Sequence, residues 1–441
     1  MRRYAITLIG LFAVLTATLA ATVLAVDPYD VAGAPHISRF NADKTRRDED
    51  GNRVFVGHMV LSPPAGTLIF GNSRVVDGFA AYYANWPGGL ANAGMRGSNV
   101  FELARAATLA GRDPDLRCVI FALDIDEFSL TAKTKATYWI SPLPDGSRTF
   151  ALARMALSPH AFARAVQTAE DNFTETRPAE RWPMVYPPGG QARRFELTAL
   201  GGLDFFRSYA FDPQRLLFLQ QTVDLLTQRG VQVIAFAPPV HAWRDEAMVQ
   251  AGRFEEAYHI RRQISAMLAA YESRPARAPC MTGLITQFWD FGGFSPVSQS
   301  PAPGPEDVRA ASFYYETTHF TPRVGEAILA RLQARRLAEP FSVDFGLVLR
   351  PGDASVAQAR ANDRRARWLA GSASARRISA MLAARMGEPA SGVQELAQFI
   401  LRDDWRALSR EAQRQGVRLT EIPAYHVQTA VVGAGLGATA P

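Results

Sequence analysis

The sequence predicts an α/β domain, a three-layer sandwich around a mostly parallel sheet, with an N-terminal transmembrane helix before it and a C-terminal helical extension after it. Three observations carry this expectation. An uncharged apolar stretch runs from Tyr4 to Val26 behind Arg2 and Arg3. Between about residues 67 and 340, short apolar runs bounded by Gly or Pro alternate with amphipathic segments of helical period. From about Phe341 the strand-like runs stop and helical segments take over. Strands that alternate with helices build parallel sheets, because parallel neighbours need a crossover connection and a helix supplies it.

Taken in order, the first element is about as long as the ~20 residues that cross ~30 Å of hydrocarbon as a helix. Asp27-Pro28 ends it. Basic residues ahead of the stretch predict a cytoplasmic N-terminus, with the remaining chain on the periplasmic side of the inner membrane. A cleaved signal peptide with Val23-Leu24-Ala25 at its cleavage site is the alternative; the length of the stretch favours an uncleaved anchor. Residues 27–66 read as a juxtamembrane lead-in. Thr67 to Phe70 predicts a buried strand, Phe101 to Gly111 a helix closed by Gly111, and Cys118 to Leu123 a second strand. Residues 131–211 are proline-rich and read as an insertion over the sheet, helical around Ala151 to Glu170. Regularity then returns: a helix over Pro213 to Arg229, a strand over Val231 to Ala237, a helix over Phe254 to Tyr271, a strand over Ile285 to Phe291, and a helix over Pro322 to Ala334. In the extension, residues 341–441, Val356 to Trp368, Ala375 to Met386 and Val393 to Arg414 read as helices. Gly433 to Pro441 reads as a frayed tail.

The 441 residues, 48% apolar and 20% charged, suffice for a large globular core. The net charge of +6 is carried almost entirely by Arg; Lys44, Lys133 and Lys135 are the only lysines. The arginines are scattered, whereas a nucleic-acid footprint is a stripe or patch, so no nucleic-acid partner is expected. No Cys/His cluster has metal spacing and no Gly-rich loop has phosphate-binding spacing, so neither a metal nor a cofactor is expected. Cys118 and Cys280 read either as a disulfide of an oxidising compartment or as two buried thiols. Trp86, Trp182, Tyr186, Trp243 and Trp289 have faces that stack on sugars or pack in a core.

Three segments can carry chemistry. In Gly71-Asn72-Ser73-Arg74, a serine follows a buried strand on a tight turn, at the sheet edge where open α/β folds bind ligands; alternatively Ser73 caps the next helix. In Glu316-Thr-Thr-His319 an imidazole lies three residues from a carboxylate, ahead of a helix. Activating a serine takes such a base, and an acceptor to fix its tautomer. Thr318 or Thr321 as a helix cap is the plainer reading of this segment. In Asn92-Ala-Gly94-Met-Arg-Gly97, small residues let backbone N–H groups approach a ligand, as an oxyanion hole requires.

In this order the segments resemble the characteristic blocks of the SGNH/GDSL hydrolase superfamily. The resemblance is closer to its membrane-anchored envelope members, similar to DltD and to the SGNH-like proteins encoded beside membrane-bound O-acyltransferases. Asp27-Pro28-Tyr29, Phe40-Asn41, Lys44 and Phe288-Trp-Asp290-Phe291 add to it, and it covers about residues 27–350. It implies an acyl-ester hydrolase or O-acyltransferase acting on an envelope polysaccharide. Ser73 would be the nucleophile, His319 the base and Glu316 the acid. Ser73, Gly94 and Asn92 would form the oxyanion hole, and Arg74 and Asp124 would contact substrate. It implies an acylated glycan or acyl donor and a membrane-bound O-acyltransferase as partners. This sequence departs from the family pattern twice. The acid is Glu where Asp is usual. The second strand ends Ala122-Leu123-Asp124-Ile125-Asp126, where the family supplies an Asn to the oxyanion hole. A chain that keeps the fold as a non-catalytic glycan-binding scaffold is the alternative.

Overall fold

The structure is a computed structural model that describes residues 2–47, 52–176, 181–183, 185–277, 280, 286–341 and 344–387. The elements in chain order are α1 (Arg2–Val26), α2 (Asn52–Met59), β1 (Thr67–Phe70), α3 (Ser73–Gly78), β2 (Tyr82–Tyr83), β3 (Leu90–Asn92), α4 (Val100–Ala110) and β4 (Cys118–Ala122). A single 3-10 turn, Ile125–Phe128, leads to α5 (Ala136–Trp139), α6 (Arg148–Ala156), α7 (Pro159–Phe173), α8 (Gly190–Arg207) and α9 (Pro213–Gln228). Then come β5 (Gln232–Ala237), α10 (Ala242–Gln250), α11 (Phe254–Ala269), β6 (Thr286–Asp290), α12 (Pro322–Leu332), β7 (Leu347–Val348), α13 (Asp353–Gly371) and α14 (Ala373–Met386).

The fold is α/β around one mixed, mostly parallel sheet of seven strands in the order β2-β3-β1-β4-β5-β6-β7. The run β3-β1-β4-β5-β6 is parallel, and the short edge strands β2 and β7 are antiparallel to their neighbours. Every residue of β1, β4 and β5 is buried. Strands covered on both faces must be apolar throughout, which is why these read as unbroken runs rather than alternating ones. The edge strands have two residues each, too few for any period to register.

The structure corrects the reading of residues 131–211 as an insertion with one helical stretch. That region holds α6, α7 and also α8, whose Phe195, Ala199, Leu203 and Phe206 belong to the main core and which packs on α10. α10, behind Pro238-Pro239, was also unanticipated. In the extension, α13 and α14 lie where helices were expected; α14 packs on α8 and α10. The expected helix over Val393 to Arg414 and the tail lie outside the described residues. Cys118 and Cys280 form a disulfide across 162 residues of sequence, with Cα atoms 5.9 Å apart. That spacing is ordinary for a disulfide.

Helix α1 is long and apolar enough to cross a membrane. Its Thr7, Thr18 and Thr22 hydroxyls donate to carbonyls one turn back, so they need no outside partner. The lead-in closes its C-terminal end. Asn41 Nδ2 donates to the carbonyls of Ala25 and Val26, and Lys44 Nζ donates to that of Val26 at 2.9 Å. The Asp27 carboxylate accepts from the N–H groups of Val31, Ala32 and Gly33. Val23, Val26 and Tyr29 are buried with Val54, Met155, Ala161 and Ala165, in a second small core apart from the sheet.

Candidate active site

Ser73 is the first residue of α3, immediately after β1 and the Gly71-Asn72 turn. Asn72 takes the capping role: its side chain accepts from the Arg74 N–H at 2.9 Å. Ser73 is therefore spared the cap, and its hydroxyl remains available. Gly71 is required by close approach, because a Cβ there would lie 2.4 Å from a Val75 methyl.

The acid-x-x-His segment is a turn wound around its own carboxylate. Glu316 is fully buried and accepts from the N–H groups of Thr318 at 2.7 Å and His319 at 2.9 Å. A pairing between Tyr315 N–H and the His319 carbonyl closes the loop. Helix α8 braces it from outside, since the Thr317 hydroxyl donates to Thr198 Oγ1 at 2.8 Å. Neither threonine serves as a helix cap here: α12 begins at Pro322 with no side-chain cap from Thr321, whose hydroxyl donates instead to the Ser312 carbonyl.

Two glycines bring these segments together. A Cβ on Gly325 of α12 would lie 1.8 Å from the Gly78 carbonyl oxygen of α3, and one on Gly78 would lie 2.0 Å from the Phe320 ring. Only side chains this small let α12 seat against α3 at this distance. The result is that Ser73 Oγ lies 2.7 Å from His319 Nε2, and the other ring nitrogen, Nδ1, pairs with the Glu316 carboxylate. The network assigns the tautomer: Nδ1–H donates to Glu316 and Nε2 accepts the Ser73 proton.

The electrostatics fit a resting base. Burial holds the His319 imidazole below its ordinary value, against the opposing pull of Glu316 and Asp77. It is therefore neutral at physiological pH. Burial alone would raise the Glu316 carboxyl, but His319 and the Thr318 N–H bring it down to about 2. Asp77, one turn after Ser73 on the same face of α3, places Oδ2 3.9 Å from His319 Nε2. Two guanidinium contacts from Arg96, at 2.6 and 2.8 Å, hold it. Arg96 and then Arg181 outweigh the penalty of its burial and bring its carboxyl to about 2. Trp182 stacks on Tyr315 at 4.7 Å and leans on the His319 ring at 5.2 Å, with Arg194 over its face. Sequence reasoning missed Asp77, Arg181 and Thr198. The four-residue spacing from Ser73 was the available signal for Asp77; nothing local announced the other two.

Four expected roles are corrected. Arg74 is not available to substrate, because it is buried with its guanidinium on Asp124 at 2.7 Å and Asp126 at 3.0 Å. Its Nε donates to the Thr318 carbonyl at 3.1 Å, which ties the serine turn to the histidine turn. Asp124 is likewise buried, spent on Arg74 and on the Ile125 N–H. The carboxylates that stand where the family supplies an Asn are thus paired with arginine; Asp126 also holds Arg244 at 2.6 Å. The Gly94 N–H donates to Asn92 Oδ1 at 2.9 Å, and Asn92 Nδ2 donates to the Val75 and Phe79 carbonyls. Both residues brace the loop against α3 and are not free oxyanion donors. Of the expected trio, Ser73 keeps a candidate donor, because its N–H at the first position of α3 has no acceptor within that helix. Among the aromatics, Trp86, Tyr186 and Trp243 are buried, and Trp182 is the one against His319.

No protein-family model matches this chain, and no curated protein sequence matches it.

Proposed function

We propose that this chain is a membrane-anchored serine acyl-ester hydrolase or O-acyltransferase of the SGNH type, a three-layer sandwich that acts on an envelope polysaccharide. The observation that carries the reading is the continuous Ser73–His319–Glu316 relay, with Ser73 Oγ 2.7 Å from His319 Nε2. As Ser73 Oγ attacks an acyl carbonyl, His319 Nε2 takes its proton, and Glu316 steadies the resulting imidazolium. Collapse of the tetrahedral adduct expels the alcohol, which takes that proton from His319 and leaves an acyl-serine. Water or a glycan hydroxyl then gives a proton to His319 and attacks the acyl-serine. Ser73 recovers its proton, and a carboxylic acid or a new ester departs. The acyl donor, or a membrane-bound O-acyltransferase supplying it, is the expected partner.

Several features support a domain outside the cytoplasm. Arg2 and Arg3 stand at the N-terminal end of α1, ahead of its apolar stretch, and the Cys118–Cys280 disulfide suits an oxidising compartment. The end of α1 is built into the fold through Asn41, Lys44 and the Val23–Val26 contacts, which favours an anchor that stays attached. The commitment of Gly94 and Asn92 to structural hydrogen bonds favours a second reading, a glycan-binding scaffold without turnover.

A fluorophosphonate probe and a short-chain aryl ester decide between the two with the full chain in detergent. The hydrolase reading expects covalent labelling and ester turnover in the wild type, with both lost in Ser73→Ala. A folded wild type that neither labels nor turns over would overturn it in favour of the scaffold.

A further inference from the structure

We infer that α6 and α7, with Trp139 beside them, form a second membrane contact that lies in the leaflet facing the globular domain, alongside the anchor. The inference rests on the reading of α1 as a membrane-spanning anchor.

The first observation is which residues these helices leave uncovered. Phe150 and Leu157 of the α6 segment are 64% and 54% exposed, with exposed Ala153 between them. On α7, Val166 and Phe173 are 46% and 72% exposed, with Ala163 in line. On α6 these recur at three- and four-residue spacing; on α7 Ala163, Val166 and Phe173 share one face with exposed Glu170 between the last two, so each helix presents outward apolar side chains as well as its buried face. Single exposed apolar residues are ordinary on a water-facing surface, but stripes on adjacent helices mark a surface that water does not cover. Trp139, 58% exposed, ends α5, and the next residue, Ile140, packs against the small core shared with α6 and α7. Tryptophan is the residue favoured at a membrane–water boundary.

The second observation fixes the occupant. Helix α1 packs on α6 and α7. Leu19 of α1 joins Leu152, Phe162 and Ala169 around the small core. Leu19 lies seven residues before Val26, which is about 10 Å along a helix axis. If the apolar stretch fills the hydrocarbon up to its end at Val26, Leu19, which packs against the small core shared with α6 and α7, lies about 10 Å inside that boundary. An interfacial helix buries its apolar face ~5–10 Å deep, so the depth and the stripes agree. The placement is also rigid. Asn172 of α7 exchanges hydrogen bonds with the Asp43 backbone, and Asp171 holds Thr45 and Arg46 of the lead-in. Lipid is therefore the expected occupant, since the helices that carry these residues pack on the anchor itself.

The test uses the full chain reconstituted into phosphatidylcholine–phosphatidylglycerol liposomes. An environment-sensitive dye is placed singly through Phe150→Cys, Phe173→Cys, Phe12→Cys in α1, and Val356→Cys on α13 as the aqueous control. Retention of the Cys118–Cys280 disulfide serves as the fold check. We expect spin-labelled lipid to quench the Phe12, Phe150 and Phe173 positions at least threefold more than the Val356 position. Quenching at Phe12 with Phe150 and Phe173 equal to the control would overturn the inference while leaving the anchor intact, and would hand the stripes to a protein partner. No lipid quenching at Phe12 would overturn the anchor itself.

Discussion

Two loops flank Ser73, and they spend their polar atoms differently. In the Glu316–His319 turn, the carboxylate folds the turn with one set of contacts and still reaches the imidazole, so the local fold and the proton relay share one side chain. In the Asn92–Gly94 loop, the amide and the N–H that would stabilise an oxyanion are spent on Val75, Phe79 and each other. The resting site therefore has a complete base and an incomplete anion pocket. Losing one oxyanion donor typically costs about 10²–10³ in rate. The difference teaches that a nucleophile–base pair in contact is not yet a fast hydrolase. It also agrees with a transferase whose pocket is completed by its acyl donor or partner.

Glu316→Gln should give the largest effect that sharpens this contrast. Losing the carboxylate from a triad costs up to about 10⁴ in kcat. In the proposed mechanism neutral His319 is the base, so kcat/KM should rise with pH to a midpoint below the ordinary histidine value. Glu316 holds that midpoint up, so a pH–rate profile of the variant should show the acid limb displaced further down. A limb that stays in place would dismiss His319 as the titrating base. Glu316 also has a stability signature. Its carboxyl is held at about 2 against an ordinary 4.5, so its contribution is whole above about pH 4.5 and lost as pH falls toward 2.

Arg74→Met should come next. It leaves buried Asp124 without its guanidinium while Asp126 keeps Arg244, and breaking a buried pair on one side costs about 3–5 kcal/mol. Thermal unfolding reads that loss directly. If Arg74 were instead a substrate contact, KM would rise while the melting temperature held.

Asn92→Ala carries the smallest effect and bears most directly on the contrast. As a brace, its loss should destabilise by about 1–3 kcal/mol for the carbonyls and N–H left unpaired, with kcat changed little. A kcat fall of 10² or more in a protein of unchanged stability would return Asn92 to the oxyanion hole and remove the asymmetry between the two loops.

What could be read in advance follows the range of each signal. The apolar length of α1, the buried runs of β1, β4 and β5, and the acid-x-x-His spacing depend on neighbours within a few residues, and composition exposes them. The sequence could also nominate Ser73, because a strand followed by a Gly-containing turn is local. Helix α8 escaped because it lies behind the Pro187-Pro188-Gly-Gly run, and its apolar positions are diluted by Arg, Gly and Thr that face other elements.

By itself, then, the sequence determined an apolar N-terminal helix, an α/β alternation and the residue types of a serine–histidine–acid relay. The tertiary structure alone decided which polar atoms remain free to act. Arg74 and Asp124 look like site residues until the fold buries them against each other, and Gly94 looks like a donor until Asn92 occupies it. It also joined Cys118 to Cys280 and set α12 on α3 through Gly78 and Gly325. The physical reason is that a hydrogen-bond donor or a charge has a limited number of partners. When those partners lie tens to hundreds of residues away, as Ser73 and His319 do across 246 positions, only the folded chain brings them into reach.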